Sequence, residues 1–217
     1  ADVHAKNDFG TTAFQYACLS GHRNVVEFLV EKGQDVNQKG QADSTPMMYA
    51  CQNNQANVIE FLLEHGAVVD ELDKLGFTTL MEASQNGSIE SMKVLIEKGA
   101  DMNIKTSTGW NCLAAACLSG RLEAAKLLLE KGVDIEIRTD LGLTPLVSAC
   151  QNGHDEVVAM LLEKGADVHA LTNDEWTPLM WASHEGFVKV VDCLLKNGAR
   201  ITDLNKSKSH AMHFACV

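Results

Sequence analysis

Eight histidines and seven cysteines are the side chains with which this chain could do metal or nucleophilic chemistry. A zinc site needs three or four of them at ligand spacing, backed by carboxylates. His210 and His213 stand three apart, but no Cys or carboxylate cluster joins them. His184 and Glu185 are adjacent, which suits contact with a ligand better than acid–base work. Serines occur in quantity, yet none stands in the strand-to-helix context of a nucleophile elbow. The glycines form no phosphate-binding loop. No catalytic residue, metal ligand or cofactor is therefore assigned, and the segment is read as non-enzymatic.

The cysteines have another explanation. Cys18, Cys51, Cys117, Cys150 and Cys216 fall on one register 33 residues wide, where the remaining copies have Ser84 and Ser183. The same register carries Thr12, Thr45, Thr78, Asn111, Thr144, Thr177 and His210, and an alanine follows five residues after each, from Ala17 to Ala215. A fixed period of this size marks a repeat architecture, in which each unit buries its apolar face against its neighbours. The recurring cysteines are then small residues where helices approach. Equivalent positions in stacked helices lie about 8–10 Å apart, beyond the roughly 7 Å reach of a disulfide. Reduced thiols point to the cytosol or nucleus.

One repeat, residues 139–171, shows the local logic. Thr144 caps a helix, and Pro145 fits its first turn because the missing N–H would be unpaired there. That helix is predicted to run to about Asn152 and to break at Gly153, where another copy has Asn54, the other residue type that tolerates a left-handed backbone. A second helix is predicted from about Asp155 to Lys164, with Val157, Val158, Leu161 and Leu162 on one face. Gly165 ends it. An extended stretch and a turn lead to the next unit.

The Thr-Pro-Leu starts at 144–146 and 177–179, the pairs Gly21-His22 and Gly153-His154, the Leu-Leu runs Leu62-Leu63 and Leu128-Leu129, and Gly-Ala-Asp at 99–101 and 165–167 together resemble the ankyrin repeat family over essentially the whole chain. The resemblance implies an all-α repeat solenoid of helix-turn-helix units with projecting β-hairpin loops. One domain is expected: residues 1–6 as the tail of a preceding repeat, six complete repeats at 7–39, 40–72, 73–105, 106–138, 139–171 and 172–204, and a truncated seventh at 205–217. Met212, Phe214 and Val217 in that seventh repeat suggest a piece of a longer array. Asp43, Glu175 and Lys208 replace the usual hairpin glycine, and Asn111-Cys112 replaces Thr-Pro, which puts local hairpin shape in question.

The resemblance also implies a protein-binding scaffold with a variable concave side. The residue before each Thr-Pro start reads Thr11, Ser44, Phe77, Trp110, Leu143, Trp176 and Ser209, so four successive copies place large apolar groups where solvent exposure is expected. Large apolar patches and tryptophans mark interaction sites. Met81, Leu118, Trp181 and Tyr49 lie further along the first helices, with Tyr49 and Met81 as partial core. Lys105 and Arg138 flank Trp110 and suit a carboxylate or phosphate. Three repeat steps of about 10 Å would take about nine residues of extended peptide. The expected partner is an extended peptide or protein surface with apolar and acidic groups; a spacer role or an intramolecular regulatory role is the alternative. A monomer is expected. Asn37 and Asn103, each eight residues after a leucine, match sites of asparaginyl hydroxylation in the family, with His169 at the equivalent place.

The composition narrows the partners. The chain has 217 residues, 46% hydrophobic and 22% charged, with 18 basic against 29 acidic residues and a net charge of −11. That balance disfavours nucleic acid, whose binding needs Lys and Arg to displace counterions. No apolar run reaches the roughly 18–20 residues of a membrane span.

Overall fold

The computed structural model describes residues 5–7 and 10–214; Ala215, Cys216 and Val217 of the register and Ala1–His4 of the leading tail lie outside them. The chain divides into two compact units, 1–107 and 108–217, each built on three complete repeats.

In unit 1 the first helices of the repeats are α1 (Ala13–Ser20), α3 (Pro46–Gln52) and α5 (Thr79–Asn86), and the second helices are α2 (Arg23–Glu31), α4 (Ala56–Glu64) and α6 (Ile89–Glu97). In unit 2 the first helices are α7 (Cys112–Leu118), α9 (Pro145–Gln151), α11 (Pro178–His184) and the short α13 (Ala211–Phe214). The second helices there are α8 (Leu122–Glu130), α10 (Asp155–Glu163) and α12 (Val188–Lys196). Within each unit first helices pack on first helices, second on second, and the two helices of one repeat on each other.

The start signals work as read. The side chain of the capping residue accepts the backbone N–H three residues on: Thr45 from Met48, Thr78 from Met81, Asn111 from Ala114, Thr144 from Val147 and Thr177 from Met180. Asn111 thus replaces threonine without loss, since either supplies the oxygen that the free amide needs. The stop signals work too: Gly165 has φ +89° and Asn54 has φ +55°. Val158, Leu161, Ala149 and Cys150 are fully buried at the centre of unit 2, and Ile59, Leu62, Ala50 and Cys51 do the same in unit 1. Each buried aliphatic side chain contributes about 1.5–3 kcal/mol.

Between the helices lie tight turns rather than paired strands; one isolated bridge, Lys6 to Thr12, is the only β pairing among the described residues. Each turn closes on itself. In the sixth repeat Thr172 N–H donates to Trp176 O and Glu175 N–H to Thr172 O, while Thr172 Oγ1 accepts Trp176 N–H at 3.1 Å. The tip position takes a positive φ whichever residue stands there: +75° at Gly142, +60° at Asp43, +61° at Glu175 and +59° at Lys208. The three departures from glycine therefore keep the turn and carry backbone strain instead. The second repeat differs in one respect, because Ala42 is also left-handed at φ +54°.

Candidate partner-binding site

Successive hairpins are tied by contacts that recur at the repeat spacing. Asn173 N–H donates to Leu141 O at 3.0 Å and Asp140 N–H to Thr108 O at 3.0 Å in unit 2; Lys74 N–H donates to Ala42 O at 2.9 Å in unit 1. Basic residues at the hairpin bases add a second tie. Lys39 Nζ donates to Leu72 O at 3.0 Å, and Arg138 Nη1 donates to Leu171 O at 2.6 Å. A third tie uses the position of Asn37. Asn37 accepts Val68 N–H at 3.0 Å and donates to Gly66 O at 3.1 Å; Glu136 accepts Asp167 N–H at 2.7 Å. His154 at the start of α10 serves the helices in the same way, its Nε2 lying 2.9 Å from Leu118 O.

This scaffold places the expected site residues unevenly. Phe77 and Lys105 belong to unit 1, where Phe77 is half-buried and Lys105 exposed. Trp110, Leu118, Arg138, Leu143, Trp176, Trp181 and His184 belong to unit 2. Leu143 corrects the expectation of a solvent-facing stripe: it is only 8% exposed, because its hairpin is covered along that edge by the next one. Phe77, Trp110, Trp176, Trp181 and Leu118 are half-buried, and His184 is exposed. Met81, at 1%, and Tyr49, at 9%, are core. Arg138 was expected to face a ligand carboxylate; part of its fork is committed to the Leu171 carbonyl. Asn103 is exposed, with its backbone N–H held by Asp101 Oδ1 at 2.8 Å.

The structure brings together what the sequence had kept apart. The Trp176 ring lies between Trp181, with centroids 4.7 Å apart, and Phe214, at 4.5 Å. His184 meets Trp176 edge-on at 5.6 Å and Phe214 at 5.9 Å. Each such pair adds about 0.5–1.5 kcal/mol beyond its buried area, so the cluster fixes the Trp176 ring. His184 Nδ1 also sits 3.0 Å from Glu185 Oε1. Against the two tryptophans opens a cleft of about 350 Å³, lined also by Leu141, Leu143, Gln151, Thr172 and Asp174. Leu141 is 68% exposed at the hairpin tip. The indole Nε1 of Trp181 is buried without a hydrogen-bond partner, as is Ser148 Oγ at the equivalent position one repeat earlier. A buried orphan donor costs about 1–3 kcal/mol.

Models of three tandem ankyrin repeats match residues 1–73, 34–106 and 80–172, and a single ankyrin repeat model matches 174–206. The chain belongs to the ankyrin repeat family. The crystal structure of the human ASB11 ankyrin repeat domain is similar to it at a TM-score of 0.85 and 28% identity, over 94% of this chain and 92% of that one. No curated protein matches the chain. Ankyrin repeats are in general protein–protein interaction modules, typically without enzymatic activity. In this ankyrin repeat protein His154 serves the scaffold and His184 the aromatic cluster. His210 and His213 stack at 3.9 Å, with His213 Nδ1 accepting the His210 backbone N–H at 3.2 Å. Among the described residues no group of three or more His, Cys, Asp or Glu is placed to hold a metal, and no helix is long and apolar enough to cross a membrane.

The thiols are equally occupied. Five of the six described cysteines are buried, and none of the six is in a disulfide. Burial pushes the Cys18 thiol up to about 12 and the Cys51, Cys117 and Cys150 thiols well above their ordinary range. A thiol held protonated is a packing group, not a nucleophile.

Proposed function

We propose that this protein is a binding scaffold that takes a segment of a partner protein into the cleft beside Trp176 and Trp181. The observation that carries the reading is an apolar cleft lined by Trp176 and Trp181, with Gln151 and the exposed carboxylate of Asp174 among its lining residues. Apolar walls with a few convergent polar groups are what a ligand site consists of. A tryptophan fixed by neighbouring rings loses little freedom on binding, which is why such residues dominate binding energy. Trp110, Leu118 and Arg138 in unit 2, and Phe77 and Lys105 in unit 1, are the next contacts to test. Buried, protonated thiols fit a reducing compartment, the cytosol or the nucleus.

The test is affinity capture with the wild-type chain against Trp176→Ala and Trp110→Ala. Recovery of specific partners is expected to collapse for Trp176→Ala while helicity by circular dichroism is kept. Equal recovery with both variants overturns the reading and leaves a spacer or an intramolecular role.

A further inference from the structure

We infer that the segment taken by this cleft is extended, with one large apolar side chain and a lysine or arginine within about three residues of it. This rests on the docking reading above and names the chemistry of what docks.

The apolar anchor follows from the walls. Leu141, Leu143 and Trp176 present carbon surface, and about 350 Å³ holds one large side chain with part of its backbone. The extended backbone follows from the polar atoms. Gln151, half-buried on the cleft lining, has no side-chain hydrogen-bond partner among the described residues, so its amide can hold a peptide group of the segment.

The basic residue follows from where charge lies. Helices α7, α9 and α11 contain no Asp, Glu, Lys or Arg. The charge beside the cleft therefore comes from the hairpin tips, where Asp140, Asp174 and Glu175 are exposed and Asp174 lines the cleft itself. The nearest opposing cation is Lys206, whose Nζ is 4.0 Å from Asp174 Oδ1 with both side chains well exposed. Such a pair is weak and easily exchanged for another cation. The net charge of −11 adds a long-range pull on basic ligands. An acidic ligand would have to rely on Lys206, whose ammonium already faces Asp174, and on Arg138, already tied to Leu171 O. Adjacent hairpins stand about 10 Å apart, and an extended chain covers that in about three residues. An anchor at Trp176 thus brings its near neighbours to Asp174 and Glu175 on the same tip or to Asp140 on the previous one.

The experiment selects from a random-peptide library displayed on phage, with the whole chain as bait, and measures the best synthetic peptide by fluorescence anisotropy. The expected sequences carry Trp, Phe, Leu or Met with Lys or Arg within three positions. Their affinity should fall about fivefold or more in the double variant Asp174→Asn, Glu175→Gln, and also on raising salt, since the charges are exposed. Acidic or uncharged consensus sequences, or affinity indifferent to the double variant, overturn this inference. The docking reading then still stands if Trp176→Ala abolishes binding. If no selected peptide depends on Trp176, both fall.

Discussion

Gly142 and Glu175 hold the same place in successive hairpin tips, so exchanging their chemistry should move stability in opposite directions. Both are left-handed, at φ +75° and +61°. A residue with a Cβ costs about 1–2 kcal/mol in that conformation. Glu175→Gly removes this cost but widens the unfolded ensemble by about 0.5–1 kcal/mol. The net expectation is about 0.5–1 kcal/mol of added stability. At Gly142 a Cβ would stand 2.6 Å from Asn173 Oδ1 and 2.8 Å from Asn173 N. The side chain could swing away; the backbone nitrogen could not without loosening its bond to Leu141 O. Strain of about 1–2 kcal/mol plus overpacking of about 1–3 kcal/mol gives a loss of about 2–5 kcal/mol for Gly142→Ala. At about 2–4 °C per kcal/mol for a chain of this size, Glu175→Gly should raise Tm by about 1–4 °C and Gly142→Ala should lower it by about 4–20 °C. Thermal unfolding followed by circular dichroism measures both. Asn173 also edges the cleft, so Gly142→Ala should weaken peptide binding even well below its Tm, whereas Glu175→Gly should perturb it only through the lost carboxylate. A destabilised Glu175→Gly, or an unchanged Gly142→Ala, would refute the reasoning.

Three further outcomes follow from the ties and the thiols. In Cys18 the folded-state thiol is raised from 9.0 to about 12, so its contribution to stability is complete below about pH 9 and is lost as pH climbs towards 12. Cys18→Ala should therefore raise the pH midpoint of alkaline unfolding; a midpoint that falls or stays would contradict this. With iodoacetamide under native conditions Cys193, half-buried, should label well before Cys18, Cys51, Cys117 and Cys150, as peptide mass mapping would show. Asn37→Ala removes the bonds to Gly66 O and Val68 N and should cost about 1 kcal/mol by urea unfolding. We propose Asn37 and Asn103 as hydroxylation sites. Intact mass after incubation with an asparaginyl hydroxylase should rise by one oxygen atom per site, and an unchanged mass ends that idea.

The fold was legible because its signals are local. A threonine or asparagine cap acts three residues away and a left-handed stop acts at its own backbone, so Thr144, Asn111, Asn54 and Gly165 could each be read without their neighbours. The site was less legible because exposure in stacked repeats is set 33 residues away. Leu143 looks like Trp110 and Trp176 in its own hairpin, yet it is buried where they are half-buried. Arg138 reads as a free cation until its partner turns out to be a carbonyl one repeat on. A signal for the cleft was present in the register, in comparison down one column rather than along one repeat. The position that holds Trp181 holds Ala115 and Ser148 before it and Phe214 after it. Two small residues followed by two large rings are a step in side-chain size. In unit 2 the rings lie against Trp176, and Gln151, in the same helix as Ser148, lines the cleft with Trp181. Regularity in such a chain builds the scaffold; where one column changes size abruptly, a cleft opens.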